Sequence, residues 1–349
     1  MKRFLSVFLS TLICLSIFGI IPAAGENALT KTKDILVRDP FILVYEGKYY
    51  MYGTGLVGNG YGCRVSDDLE NWGEPVTVWS KPAGHPGDTN WWAPECHRYK
   101  GDFYLFATYH DSVLGHRGVA IFRASSPLGP FEQISDGFIT PDDTDSIDGT
   151  LYVAPDGQPY MVYVQEWTAQ PDGIGKMAVA RLSDDLTHFI SEPVTLFAAS
   201  DGKKGMDGGI TDGPFVYTRK NGKLLMLWSN YGENGYAVGV AAAPRIDGRW
   251  RQKNLLYTSE LAPTGLDGGH GMIFTDLKGR LMLAIHSPNT ADEKMFEHAE
   301  FLEIVETDST LMLKTEYQKL QSKAKTVSAV AAAIARLISA LWSFIISIF

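Results

Sequence analysis

With 349 residues, 45% of them hydrophobic and 12% aromatic, the chain is long enough for one large domain or two and apolar enough to bury a real core. Its 40 acidic against 31 basic residues leave a net charge of −9, which argues against the Lys/Arg-rich face that a nucleic-acid surface needs. A neutral, sugar-like partner fits better.

The first element is a targeting signal. Lys2 and Arg3 precede an uncharged, mostly apolar run over residues 4–21, and the small residues of "PAAGENA" then suit cleavage after about Ala24. Residues 1–24 are therefore expected to direct export, to the exterior or the cell envelope. Ile13 rather than a small residue precedes Cys14, which departs from a lipoprotein signal. Cys63 and Cys96 remain in the mature chain, either as a disulfide or as two buried thiols; the thiols are the preferred reading.

Five variants of one unit follow: a turn, an apolar strand, a glycine-containing hairpin and an aromatic-rich second strand. They read "RDPFILVYEGKYYMYGTG", "WAPECHRYKGDFYLFATYH", "DGTLYVAPDGQPYMVYVQEW", "DGPFVYTRKNGKLLMLWSNY" and "GGHGMIFTDLKGRLMLAIHS". The hairpin glycines Gly47, Gly101, Gly157, Gly222 and Gly279 stand 54, 56, 65 and 57 residues apart. Further strands such as "KMAVARLS" and "YAVGVAAA" lie between units, so each unit holds about four strands. Repeats of four β-branched and aromatic strands predict an all-β fold, a five-bladed β-propeller over residues 34–317. A sandwich, or two smaller β-domains, is the alternative.

The last element, residues 327–349, carries Arg336 as its one charge. Apolar residues at 327, 330, 334, 337, 338, 341, 345 and 348 face away from most of the serines, which predicts an amphipathic helix. The segment is about long enough to span a bilayer. The basic residues Lys319, Lys323 and Lys325 all precede it, so membrane-surface contact or self-association is expected rather than a true anchor.

In a propeller the innermost strands surround the axis, and residues opening equivalent strands converge on one mouth. Asp39, Glu95, Asp148, Asp212 and His270 are expected to open the five inner strands. Crowding carboxylates is costly because like charges raise one another's pKa, so such a ring points to use. Nine residues after each hairpin glycine, Leu56, His110, Glu166, Tyr231 and Pro288 are expected at the same mouth, with His286 just inside the last. Glu166 reads either as a further functional carboxylate or as an exposed rim residue.

Separated carboxylates in a cleft suit glycoside hydrolysis, in which one carboxylic acid protonates the leaving oxygen and a carboxylate assists attack from the other side. No Ser-His-Asp order, phosphate-cradling loop or close Cys/His metal pattern competes. Trp91, Trp92 and Trp167 adjoin these carboxylates and read as platforms for a sugar ring or as core, the platform reading being preferred for Trp92.

The ordered set "RDPF", "WAPE", "DGTLY", "DGPF" and "GGHGMIF…HSPN" resembles family 43 of the glycoside hydrolases, over all five units. Those enzymes are five-bladed propellers that invert anomeric configuration, mainly α-L-arabinofuranosidases, β-xylosidases and arabinanases. The resemblance implies Asp39 as the general base that activates water and Asp148 as the carboxylate that orients the acid and raises its pKa. The family's acid is usually a Glu in Glu-Gly-Pro, where this chain has Asp212, one methylene shorter and so about 1.5 Å short of reach. Three accounts follow: Asp212 is the acid on a shifted backbone, Glu166 reaches in, or activity is weakened and the propeller only binds carbohydrate. Asp212 is preferred. His270 matches a histidine that commonly helps hold a hydrated calcium ion, and reads equally as a histidine hydrogen-bonded within the channel; no cofactor is required for the chemistry, and any ion would be structural or would tune the nearby acid's pKa. Glu95 is assigned to supporting the site or binding sugar, as is His286. The partner implied is an oligo- or polysaccharide containing arabinose or xylose.

Overall fold

The structure is a computed structural model and describes residues 29–289 and 296–346. The targeting segment expected over residues 1–24 lies outside them. The strands pair into five antiparallel sheets, one from each sequence unit. Four of the sheets have four strands; the first adds two short pieces, Thr30–Lys31 paired with Asn71–Trp72, for six in all. The inner strands are Arg38–Tyr45, Gly87–Tyr99, Ser146–Val153, Asp212–Thr218 and Gly269–Thr275. This is the five-bladed propeller that the repeat predicts.

The repeat signal has a local cause. Each inner strand returns through a tight hairpin whose glycine has positive φ, as at Gly157 (φ +89°), a region closed to most side chains. The strands flanking that turn stay in register, with Tyr152 opposite Tyr160 and Leu151 opposite Met161.

Apolar side chains pack between blades, so the core is divided into several buried clusters rather than gathered at a centre. Tyr104, Phe106 and Ile121 of the second blade meet Met161 and Tyr163 of the third. Met177 and Val179 of the third meet Met226 and Trp228 of the fourth. The first and fifth blades close the ring without exchanging a strand, through one shared cluster that includes Met51, Tyr52, Met272, Phe274 and Met282. Backbone hydrogen bonding from Val37 N–H to the Glu297 carbonyl (3.1 Å) and an ion pair between Arg38 and Glu297 seal the same seam. Cys63 and Cys96 are buried free thiols, not a disulfide.

One irregularity repeats in every blade and positions the site. Each inner strand carries a β-bulge near its start: the register slips between Arg38 and Phe41, Trp92 and Glu95, Ile147 and Thr150, Asp212 and Phe215, and Gly269 and Met272. Inside the five bulges, Asp39, Ala93, Asp148, Gly213 and His270 all take left-handed φ, between +42° and +55°. A bulge re-aims the side chain it carries, here toward the mouth of the ring. The structural equivalents therefore differ from the sequence expectation in two blades. Ala93, not Glu95, occupies the second position, and Gly213 the fourth, with Asp212 one residue earlier.

After the last strand of the fifth blade, Leu311–Leu313, a single helix, α1, runs over Lys314–Ile346. It begins thirteen residues before the expected apolar segment, because Lys314 and Thr315 pack directly on the blade, where Lys314 pairs with Glu303 at 2.7 Å. Among the described residues no helix is long and apolar enough to cross a membrane.

Candidate active site

A pocket of about 350 Å³ opens at the mouth of the ring, lined by Arg38, Asp39, Thr54, Trp92, Ile147, Asp148, Glu166, Trp167, Ile210, Asp212, Tyr231 and His270. Four of the five blades contribute an acidic or imidazole side chain from the bulges or beside them, counting Glu166 with the third. That volume matches the lower end of small-ligand sites and suits one or two sugar rings.

The three aspartates share the pocket but not an environment. Asp39 Oδ2 accepts a hydrogen bond from Thr54 Oγ1 at 2.7 Å, and Thr54 is itself held by the Ala93 N–H at 2.8 Å. Asp39 Oδ1 faces His270 Nδ1 at 3.2 Å and His286 Nδ1 at 3.4 Å. Burial would raise its pKa, but His270, His286 and Arg38 outweigh that and hold the carboxyl well below the usual carboxylate range. Asp39 is ionised at any working pH.

Asp148 lies on the other side of the same imidazole, its Oδ2 3.6 Å from His270 Nδ1 and 3.0 Å from the Gly213 N–H that donates to it. Burial pushes it up to about 6, against the pull of His270 and with help from Asp39 and Glu95. Asp212 is raised well above its ordinary value, first by burial and then by Asp148, so it keeps its proton where Asp39 has lost its own. Its Oδ2 accepts from Tyr236 Oη at 2.8 Å. His270 is raised in turn, because Asp39, Asp148, Asp212 and Glu95 outweigh the cost of burying the imidazolium. One cation thus sits among the aspartates.

Glu166 lines the pocket but is committed elsewhere. Arg117 grips it with both arms, Nε to Oε2 at 2.7 Å and Nη2 to Oε1 at 3.0 Å. Both carboxylate oxygens accept guanidinium N–H bonds, which leaves neither to carry a proton to a leaving group. The same guanidinium lies over the Trp92 ring, 5.6 Å from its centroid, and so fixes a pocket wall.

Other expected residues divide between pocket and packing. Trp92 and Trp167 line the pocket. Trp91 does not: half-buried, it stacks on Tyr109 at 5.6 Å and packs against the core cluster that includes Tyr61 and Trp79. Glu95 is buried against His97 Nε2 at 2.9 Å and does not line the pocket. His286 is fully buried and braces the base from behind, its Nδ1 accepting the Asp39 N–H at 3.2 Å and its Nε2 lying 3.1 Å from Asn289 Oδ1. It does not line the pocket. His110 pairs with Asp88 at 2.8 Å and does not line the pocket.

Tyr236 is the residue that sequence reasoning misses. Its ring crosses bare backbone at Gly269, where a Cβ would come within 2.3 Å of it, and reaches both Asp212 and the face of His286, 5.7 Å away and nearly parallel at 19°. It therefore links the protonated aspartate to the histidine behind the ionised one. Thr54 and Arg117 have no signal in the sequence either, since their partners lie 15 and 49 residues away.

The donor set does not make a cation cage. Among the described residues no group of three or more His, Cys, Asp or Glu is disposed to hold an ion, and His270 Nδ1 is already turned onto two carboxylates. A hydrated calcium ion of the kind the resemblance implies would take His270 as its protein ligand, with water completing its shell, and no step is routed through it.

A propeller whose axis ends in one ionised and one protonated carboxylate defines a glycoside-cleaving class of protein. The comparisons agree. Residues 33–308 match the model of glycosyl hydrolases family 43, and the chain belongs to that family of enzymes. The crystal structure of an endo-arabinase from Bacteroides thetaiotaomicron VPI-5482 superposes with a TM-score of 0.72 at 33% identity, covering 82% of this chain and 100% of that one. The extracellular exo-α-(1→5)-L-arabinofuranosidase ArbA of Cellvibrio japonicus (strain Ueda107) is 24% identical over 302 residues, 74% of this chain and 81% of that protein. An arabinan endo-1,5-α-L-arabinosidase of Emericella nidulans shares 38% identity over 89 residues, 24% of this chain and 26% of that protein.

Proposed function

We propose that the protein is an exported α-L-arabinofuranosidase that releases single arabinofuranosyl units from plant polysaccharides with inversion of configuration. The observation that carries this reading is the split between Asp39, held ionised, and Asp212, held protonated, in a single pocket. Asp39 takes a proton from the attacking water through the oxygen facing His270. Asp212 gives its proton to the departing glycosidic oxygen, and the ionised Asp148 beside it supplies the repulsion that keeps that proton in place. Trp92 and Trp167 flank the sugar. Arabinan-directed relatives support arabinose over xylose, and a pocket of about 350 Å³ supports removal of end units over mid-chain cleavage.

Amide substitutions test the assignment on a nitrophenyl α-L-arabinofuranoside. Asp212→Asn is expected to lower kcat by about 10²–10⁴-fold, while Glu166→Gln mainly raises KM by loosening Arg117 from Trp92. Full activity in Asp212→Asn with loss in Glu166→Gln would make Glu166 the acid. Proton NMR of the first-formed arabinose should show the inverted anomer; the retained anomer would overturn the water-activating role of Asp39. Binding without turnover by the unaltered protein would leave a carbohydrate-binding propeller.

A further inference from the structure

We infer that helix α1 is a docking element for the surface of a lipid bilayer with anionic headgroups. The helix has 33 residues, about 50 Å of length. Its first turns touch the propeller, around Lys314, Thr315 and Gln318, and every described side chain from Gln318 to Ile338 is exposed. Beyond them Leu320, Val327, Val330, Ile334, Leu337 and Ile338 are each half to two-thirds exposed. At 100° per residue these six fall within one arc about 100° wide, and Gln321, Lys325, Ser328 and Arg336 fall on the opposite side. An apolar stripe on this scale is left without a partner among the described residues.

Charge decides what covers it. Five basic residues against Glu316 give α1 a net charge of +4 in a chain whose net charge is −9. A net positive charge is thus carried by an element that, among the described residues, leaves the propeller. The stripe has heptad spacing, and pairing with a second copy would use the same face. Lys323 would then fall in the seam itself, and the flanking positions Ala324, Thr326, Ala331 and Ala333 carry no charge to set a register. No acidic residue follows Glu316 in the helix, so two such helices side by side would repel. On a bilayer the apolar arc lies toward the acyl chains, Lys325 and Arg336 face the phosphates, and Lys319 and Lys323, at the edge and in the middle of the arc, reach the phosphates by extending their flexible stems up to the interface. The geometry places an enzyme for polymeric substrate at a cell surface rather than free in solution.

The test uses protein beginning at residue 25, which keeps every described residue. Cosedimentation with phosphatidylglycerol/phosphatidylcholine vesicles is expected to recover most of the protein, and with pure phosphatidylcholine at least tenfold less. Val330→Glu/Ile334→Glu should cut binding at least tenfold, and Lys323→Glu/Lys325→Glu should abolish the preference for the anionic vesicles. Both variants should keep full activity on a soluble aryl glycoside, which shows that the propeller is folded. Equal binding of the Glu-substituted protein would overturn the proposal. So would a protein that ignores vesicles and forms a defined oligomer in light scattering, dispersed to monomer by Val330→Glu/Ile334→Glu, since self-association then covers the stripe.

Discussion

Tyr236 shows how one side chain sets the chemistry of another. Its hydroxyl donates to Asp212 Oδ2, and that bond lowers the pKa of a carboxyl which burial and Asp148 have raised. Removing the donor in Tyr236→Phe should therefore push Asp212 further up. On the proposal that Asp212 is the acid, it must be protonated to work, so the basic limb of the pH profile of kcat/KM is expected to move to higher pH. The rate at the optimum should fall about ten- to a hundredfold as Asp212 loses its orientation. A basic limb that stays in place would remove Tyr236 from the account. At this scale the sequence was legible where a turn motif marked the residue. Asp39, Asp148, Asp212 and His270 each adjoin a Gly or Pro at the head of a strand and meet in the pocket. Tyr236 lies mid-repeat in "GYAVGVAAA", and nothing local says that its ring passes over Gly269 to another strand.

The bulged inner strand is the element that turns five similar sheets into one site. Four of its five left-handed positions are filled by residues with a Cβ, at a cost of about 1–2 kcal/mol each. The fifth, Gly213, has no choice: at φ +49° an added Cβ would lie 2.7 Å from His270 Cγ and 2.9 Å from its Cα, so backbone would have to move. Gly213→Ala is expected to destabilise the fold by about 1–3 kcal/mol and to displace His270 from Asp39 and Asp148, with loss of most activity. Chemical denaturation followed by an activity assay checks both, and an unchanged midpoint with unchanged rate would contradict the strain argument. Bulges also explain the misplacement of Glu95. Its motif "WAPE" invites alignment of the Glu with the aspartates, but the extra residue puts Ala93 in the bulge and leaves Glu95 two places farther along, buried against His97.

At the scale of the molecule, the site is held together against its own electrostatics. Asp148 has a folded pKa of about 6 against 3.8 for a free aspartate. A raised carboxyl contributes stability that is fully present below the unfolded value and lost as pH rises through the folded one. Asp148→Asn cannot ionise and should escape that loss. Its melting temperature is expected to exceed that of the parent above pH 6, by the equivalent of about 1–3 kcal/mol, and to match it below pH 4. The same variant should lose at least about 100-fold in activity, because Asp212 no longer has a neighbouring charge to hold its proton. A melting temperature unchanged at pH 7 would show that the carboxylate is already compensated.

What could be read from the chain alone was whatever depends on short-range chemistry. Hairpin glycines need positive φ wherever they stand, so their spacing counted the blades, and apolar periodicity announced a terminal helix. Both rest on contacts within a few residues. The arginine grip on Glu166, the packing of Trp91, the burial of Glu95 and the earlier start of α1 show only in the folded chain. Each depends on which surfaces meet in the folded chain: Arg117 of the second blade on Glu166 of the third, and, within a blade or beside it, Tyr236 on Asp212, Tyr109 on Trp91 and Glu303 on Lys314. A carboxylate's charge state follows from such neighbours and from the water they exclude, and neither is set by the residues beside it in sequence.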